Sequence, residues 1–176
     1  SPQQDCFDAP NGGLPEVPDN SLNNVMIYTS SLSVPIRRNY EDKNVLDGKQ
    51  LFRDLKCTSC HAEAFTTSNN YPFNPILENV IIRPFSDFLL HDMGNDLADN
   101  RPDFLATGNE WRTQPLWGIG MIQEVNSHTF LLHDGRARNI EEAILWHGGE
   151  AENSKKNYEK LTKKERQDVL AFLNSL

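Results

Sequence analysis

The stretch Cys57-Thr58-Ser59-Cys60-His61 constrains this chain most, because C-x-x-C-H is the attachment sequence of a c-type haem. Two thiols three positions apart can add to the two vinyl groups of one haem, and the next imidazole can then bind the iron. Attachment leaves one face of the iron for a second ligand. The motif therefore predicts a covalent haem on Cys57 and Cys60, with His61 as the first axial ligand.

Two other chemistries use a C-x-x-C pair. A thioredoxin-type dithiol is expected within a βαβ pattern, which this sequence does not show. A zinc site usually has a second C-x-x-C or an H-x-x-x-H pair, and the chain has neither. Both alternatives stay open from spacing alone, but the adjacent His61 favours haem. The third cysteine, Cys6, lies outside the motif.

Length and charge restrict the class of protein. One domain is the expectation for 176 residues. The net charge of −8 argues against nucleic acid as a partner. No apolar run approaches the roughly 18 residues of a membrane span. Because covalent haem attachment implies export, the sequence is interpreted as a mature or trimmed chain of a periplasmic or otherwise exported protein.

The chain divides into two predicted parts: an N-terminal arm with a linker helix over residues 1–44, and a c-type haem domain over residues 45–176. Local patterns predict four helices, which are residues 20–33, a helix from Val45 into the motif, Asn139 to His147, and a last helix that begins with the capping box Thr162–Glu165. Residues 62–120 are rich in turn residues. The expected fold is mainly α, a c-type cytochrome fold with long irregular loops around the haem.

A glycine predicts how two of these helices meet. Gly48 precedes Leu51 and Phe52, and the absence of a side chain there lets a second helix come close. Phe172 of the last helix can fill that space. We therefore expect the helix that enters the motif to cross the last helix.

The second axial ligand must come from the remaining histidines and methionines, which are Met26, His91, Met93, Met121, His128, His133 and His147. His147 continues an apolar stripe at helical spacing, formed by Ile140, Ala143 and Ile144. Its imidazole is therefore expected on the buried face of its helix, as the last helical residue, before Gly148 and Gly149. Met93 and an open or water-bound face remain alternatives.

Several long stretches resemble one family in the family's own order. They are APNGG at 9–13, LLHDMG at 89–94, EWRTQPLWG at 110–118, LHDGRAR at 132–138 and IEEAILWHGGEA at 140–151. The family is that of the bacterial di-haem oxidoreductases, described as peroxidases or thiol oxidoreductases. It is similar in turn to the di-haem cytochrome c peroxidases and to MauG.

The resemblance implies a second haem that this chain does not carry. Members of the family have two haem motifs in two domains, and this chain resembles the C-terminal, electron-transfer domain. The family's sixth ligand at the matching position is methionine in the peroxidases and tyrosine in MauG, and His147 stands there. The expected function is electron transfer by a bis-His haem, with the parent's N-terminal haem domain or a redox protein as partner. The alternative is a peroxidase-type enzyme whose distal site is open or can open.

Weaker expectations concern residues around the haem. Arg112, Arg136 and Arg138 can pair with haem propionates, because a planar guanidinium suits a carboxylate, or they can be ordinary surface charges. Trp117 and Trp146 can line the haem or pack in the core.

Calcium is a further expectation. Asp99, Asp103 and nearby carbonyls could bind a hard cation, as the related peroxidases hold calcium between their domains.

Overall fold

The computed structural model describes residues 4–176 and is mostly helical, with 44% helix and 8% strand, so the mainly α prediction is confirmed. The helices are α1 Gln4–Phe7, α2 Asp19–Ser30, α3 Lys43–Asp54, α4 Ile122–Asn126, α5 Ile140–Trp146, α6 Glu152–Glu159 and α7 Lys163–Ser175. Across residues 4–176, no helix has both the length and the apolar composition that spanning a membrane requires.

The described chain divides into two compact units. One unit contains residues 34–66 and 81–176, which include the C-x-x-C-H motif and helices α3 to α7. The other contains residues 4–33 and 67–80, with α1 and α2. The predicted division into an arm over residues 1–44 and a haem domain over residues 45–176 stays a prediction, and residues 1–3 lie outside the described chain.

Helix α2 is shorter than the sequence predicts. It ends at Ser30 instead of residue 33. The hydroxyls of Thr29 and Ser31 donate to the carbonyls of Val25 and Ile27, and such local bonds compete with continued helix. Most of its apolar residues are exposed and none is fully buried, so α2 does not contribute to a core.

Helices α3 and α7 cross closely, as the sequence predicts. A Cβ atom added at Gly48 would lie 1.8 Å from the Asp168 carbonyl oxygen and 3.0 Å from the Phe172 Cβ. Only glycine allows this approach. Around the crossing, the core is formed by buried residues that include Val45, Phe52, Phe85, Val169, Phe172, Leu173 and Leu176. The Phe172 ring centre lies 5.3 Å from that of Phe52 and 5.5 Å from that of Phe85.

Helix α7 begins where its capping sequence predicts. The Thr162 side chain accepts the Glu165 amide, and the Glu165 carboxylate accepts the Thr162 amide, so the predicted capping box is confirmed. Asn139 caps α5 by accepting the Glu142 amide at 2.9 Å.

The strands are short and lie in the irregular region. Strand β1 (Phe65–Thr66) pairs antiparallel with β2 (Ile81–Ile82). Strand β3 (Leu90–Asp92) pairs antiparallel with β4 (Glu110–Arg112), with His91 opposite Trp111. The remaining connections between residues 62 and 121 are turns and short 3-10 segments, as expected from the turn residues there.

Candidate haem site

The C-x-x-C-H motif forms a tight turn directly after α3. Lys56 has a left-handed backbone conformation (φ 66°), so the chain changes direction after α3. A 3-10 turn over Cys57–Ser59 follows. The His61 amide closes the turn by donating to the Cys57 carbonyl at 2.9 Å. The end of α3, whose Phe52 is buried in the core, therefore positions both motif cysteines and His61.

The His61 ring is fixed by the protein. Its Nδ1–H donates to the Phe85 carbonyl oxygen at 2.9 Å, and its ring centre lies 6.0 Å from that of Phe52. Burial lowers the pKa of His61 to about 4, although the bond to Phe85 opposes this shift. The ring is therefore neutral at pH 7 and presents an unprotonated Nε2.

A short segment, residues 84–88, supports the motif and is named the proximal strap here. The Ser86 amide donates to the Ala62 carbonyl at 3.0 Å, and the Asp87 amide donates to the Cys60 carbonyl at 2.8 Å. Phe85 is almost fully buried with φ 51°, an unfavourable backbone for a bulky residue. This conformation holds its carbonyl oxygen against His61.

Helix α5 ends one residue earlier than the sequence predicts, so His147 lies just beyond its observed end. Helix α5 ends at Trp146, and His147 is its C-cap residue, with ψ 125°. Its amide donates to the Ile144 carbonyl, and its Nδ1–H donates to the Ala143 carbonyl at 2.6 Å. The side chain uses the last carbonyls of the helix, which lack amide partners. Burial lowers the pKa of His147, so this ring is also neutral.

The structure brings His61 and His147 together. Their ring centres are 6.4 Å apart, with an angle of 45° between the ring planes. Each ring uses Nδ1 for a backbone carbonyl. Among the described residues, no hydrogen-bond partner is seen for either Nε2. Two neutral imidazoles thus lie close together, each with an unprotonated Nε2.

Two other candidate ligands have side-chain contacts elsewhere. The Met121 sulfur contacts the Arg38 guanidinium. His128 stacks on Phe130, with ring centres 5.3 Å apart.

Of three more candidates, two have a ring or backbone partner and the third lies in the other compact unit. His133 stacks on Trp111 at 3.5 Å. The Met93 backbone pairs with Asn109, and its carbonyl faces Gly148. Met26 lies in α2, in the other compact unit.

His91 links two carboxylates, which sequence reasoning missed. Its Nε2 donates to Asp87 at 2.8 Å and its Nδ1 donates to Glu150 at 2.9 Å. These bonds raise the pKa of His91, with Glu150 as the larger cause. Burial alone would raise the Asp87 pKa, but bonds from the Leu89 amide and His91 lower it overall. The sequence signal was weak, because Asp87 lies four positions before His91 in an irregular region and Glu150 lies 59 positions after it.

The predicted arginines have protein partners. Arg112 Nη2 donates to the Gln114 side chain at 3.1 Å. Arg136 pairs with Asp134 at 2.6 Å and places its guanidinium carbon 5.0 Å from the Trp146 ring centre. Arg136 therefore lies beside the residue that precedes His147, whereas Arg112 is exposed at a strand end.

Arg138 and Trp117 also have defined surroundings. Arg138 donates to the Glu142 carboxylate at 2.8 Å and is exposed. Trp117 is half-buried, and its neighbours Leu116 and Gly118 donate their amides to the carbonyls of Pro84 and Leu176. A propionate or haem-lining role for these residues stays a prediction.

The structure also places possible metal ligands. Cys60, Asp87 and His91 offer ligand atoms within 4.8 Å of one another. A thioether to haem would use the Cys60 sulfur, so zinc there and covalent haem exclude each other. Asp99 accepts the Arg101 amide at 2.8 Å and the Asp103 backbone pairs with Ala106, and calcium at these residues stays a prediction.

A helical frame that holds a C-x-x-C-H turn opposite a second histidine is typical of c-type haem proteins. A protein-family model described as "di-haem oxidoreductase, putative peroxidase" matches residues 6–176. The chain belongs to this di-haem oxidoreductase family, which confirms the resemblance seen in its motifs. No curated protein and no solved structure matches the chain.

Proposed function

We propose that this chain carries one covalent c-type haem on Cys57 and Cys60, ligated by His61 and His147, and transfers electrons within a di-haem oxidoreductase. The approach of the two imidazoles is the observation that carries the proposal. The family supports a haem-based redox role. A bound haem would supply a one-electron iron couple.

The spacing of the two rings fits an iron between them. With metal–nitrogen bonds of about 2 Å on opposite sides, the two ring centres would be about 6 to 6.5 Å apart. The observed distance is 6.4 Å. The angle of 45° between the rings is compatible, because each ring can rotate about its bond to the metal.

The hydrogen bonds of both histidines suit a metal ligand. Histidine ligands commonly donate their other ring N–H to a backbone carbonyl, which fixes the tautomer and the ring orientation. His61 does this with Phe85, and His147 with Ala143. Burial keeps both rings neutral, which leaves the Nε2 lone pair for a metal.

Filled axial positions favour electron transfer over peroxide chemistry, because no coordination site is left for peroxide. The alternative is a peroxidase-type haem enzyme with an openable distal site. One observation favours it: His147 lies outside α5 and precedes Gly148 and Gly149, so few helical bonds hold it. Whether the chain is an enzyme depends on whether His147 stays bound.

The partner and the compartment follow from the same proposal. The family is di-haem, whereas this chain has one C-x-x-C-H motif. The electron partner would be a second haem domain of a parent protein or a separate redox protein. Covalent attachment of haem would take place after export, so we propose a periplasmic or otherwise exported location.

Denaturation tests the covalent attachment. After acid–acetone extraction, the denatured wild-type chain should retain haem, and the matched variant with Cys57→Ser and Cys60→Ser should lose it. Metal analysis of the same samples should find iron. A wild-type chain whose haem extracts freely, or one that holds zinc, would contradict the proposal.

Optical spectra test the second ligand. The wild-type oxidised protein should be low-spin, without the near-infrared band of a methionine–iron bond. His147→Ala should give a high-spin spectrum, and the matched His128→Ala should not change the wild-type spectrum. The near-infrared band would reassign the ligand to a methionine, and an unchanged His147→Ala spectrum would exclude His147.

Ligand binding and turnover separate the two functions. An electron carrier should bind cyanide weakly and show negligible peroxidase turnover, whereas His147→Ala should bind cyanide readily. Tight cyanide binding or rapid peroxide turnover by the wild-type chain would favour the enzyme.

A further inference from the structure

The chain after His147 lies on the backbone at the end of β3. A Cβ atom added at Gly149 would be 2.2 Å from the Asp92 carbonyl oxygen, and one added at Gly148 would be 2.8 Å from that of Met93. Gly149 also has φ 53°. The two glycines therefore allow a close backbone contact that other residues would prevent.

Glu150 fastens the same segment through its carboxylate. One oxygen accepts the Asp92 amide at 3.0 Å, and the other accepts the His91 Nδ1–H at 2.9 Å. The Glu150 side chain is 56% exposed, whereas that of His91 is 15% exposed. The bond thus joins a surface carboxylate to a shielded imidazole.

The other nitrogen of His91 leads to the haem motif. Its Nε2–H donates to Asp87 at 2.8 Å, and the Asp87 side chain is 13% exposed. Asp87 belongs to the proximal strap, and its amide donates to the Cys60 carbonyl at 2.8 Å. A continuous series of hydrogen bonds therefore runs from Glu150 to the residue before His61.

We propose that His91 is a positioning residue that joins the segment after His147 to the segment before His61 and so keeps His147 in place as the second axial ligand. The inference rests on the proposed function and deepens it, because it names what would keep the distal site closed.

The chemistry of the bridge explains why histidine is suited to it. Both carboxylates can only accept, so His91 donates from both ring nitrogens and is an imidazolium. Charge-assisted hydrogen bonds are stronger than neutral ones, particularly for the shielded bond to Asp87. The raised pKa of His91 agrees with this state. Without the bridge, the Glu150 carboxylate keeps only its bond to the Asp92 amide. The Gly148–Glu150 segment is then held less firmly, and His147 should compete less well with added ligands.

Cyanide binding to the oxidised holoprotein tests the bridge. His91→Gln removes the charge and one donor nitrogen, and Glu150→Gln removes the charge and one acceptor at an exposed position, where folding should be unaffected. Each should raise cyanide affinity by about tenfold, the effect of losing one charge-assisted bond. The double variant should gain no more than the larger single variant, because both substitutions break the same bridge.

Controls separate the bridge from a general loss of structure. His128→Gln makes the same substitution at a histidine outside the bridge and should keep wild-type affinity. His91→Arg retains the positive charge and several donors, so its cyanide affinity should lie between those of the wild type and His91→Gln. Unchanged cyanide affinity in both His91→Gln and Glu150→Gln, or additive effects in the double variant, would overturn the proposal.

Amide hydrogen exchange gives a readout that needs no haem. The peptide containing residues 147–152 should exchange faster in His91→Gln and Glu150→Gln than in wild type and His128→Gln. If the wild type carries no haem, the proposed function fails but faster exchange still supports the bridge. If the wild type is a low-spin haem protein and exchange is unchanged in both variants, the bridge alone is refuted.

Discussion

Two regions of the unit that contains the C-x-x-C-H motif, residues 34–66 and 81–176, are stabilised differently. They are the helical frame, formed by α3 and α7, and the loops around His61 and His147. Helices α3 and α7 meet through apolar side chains around Gly48 and Phe172. The proximal strap and the segment after His147 are held by hydrogen bonds of Ser86, Asp87 and His91. Burial of apolar surface stabilises the helical frame, whereas the loops depend on the geometry of individual hydrogen bonds.

This difference separates stability from site geometry. Loss of a frame contact should lower the free energy of unfolding by several kcal/mol, because cavities or clashes in a packed core cannot relax fully. Loss of a loop bond should cost less overall, yet it should move the groups that face His61 and His147. The following changes test that comparison.

Gly48→Ala should have the largest effect. The new Cβ would meet the Asp168 carbonyl oxygen at 1.8 Å, and a backbone atom cannot move aside as a side chain can. We expect the free energy of unfolding to fall by about 5 kcal/mol or more, because a backbone clash this close forces the two helices apart. Chemical denaturation measures it.

Gly12→Ala is the matched control for Gly48→Ala. Its Cβ would lie 3.1 Å from the flexible Glu16 Cγ, so stability should change little. Equal stability of the two variants would mean that α3 and α7 do not cross as closely as described.

Phe172→Ala should have the second largest effect. The ring is fully buried between Phe52 and Phe85, and its removal leaves a cavity. The expected loss is about 3–5 kcal/mol by denaturant titration. Phe104→Ala removes the same ring from a fully exposed site and should change stability by about 0.5 kcal/mol or less. Similar losses in the two variants would contradict the assigned core.

The frame was predictable because its signals are local. The spacing of apolar residues, the Thr162 capping box and the small residue Gly48 each act within a few positions of the chain. The approach of His147 to His61 was also predictable in part, since a helical face directs the His147 side chain inward. The exact end of α5 was not predictable. The His147 ring itself bonds to the Ala143 carbonyl, and the helix ends at Trp146, one residue early.

The supports of the site could not be predicted in the same way. His61 bonds to a carbonyl 24 positions away, and His91 bonds to a carboxylate 59 positions away. Such pairs depend on how loops without regular periodicity return to the motif. The left-handed backbone of Phe85 also has no sequence signal, because a phenylalanine disfavours it.

Ser86→Ala should lower the free energy of unfolding by an intermediate amount, and it tests how far the proximal strap depends on one hydroxyl. The Ser86 hydroxyl is fully buried, donates to the Thr113 carbonyl at 2.7 Å and accepts the Phe88 amide at 2.9 Å. The Thr113 carbonyl and the Phe88 amide would each lose the partner of a partly buried bond, at a cost of about 1–3 kcal/mol.

Ser30→Ala is the matched control for Ser86→Ala. It removes an exposed hydroxyl bonded within its own helix, so we expect a change of about 0.5 kcal/mol or less. Thermal unfolding of the two variants compares them, and equal stability would show that the strap does not depend on this hydroxyl.

The pH dependence contributed by His91 should be the smallest effect. Its folded pKa is raised above the ordinary 6.5, first by the bond to Glu150 and then by that to Asp87. A raised pKa means that the folded chain binds the proton more tightly than the unfolded chain does. The stabilisation is therefore complete below pH 6.5 and is lost as the pH rises through the folded pKa. Both carboxylates stay ionised at these pH values, since their own pKa values are lowered.

Comparison with His91→Gln isolates this contribution from that of all other titrating groups, because both proteins share those groups. We expect the difference in melting temperature between wild type and His91→Gln to be largest below pH 6.5 and to shrink as the pH rises through the raised pKa of folded His91. His128→Gln should show no such trend relative to wild type. A difference that grows with pH would mean that His91 is neutral in the folded chain, and the bridge of two donated bonds could not then exist.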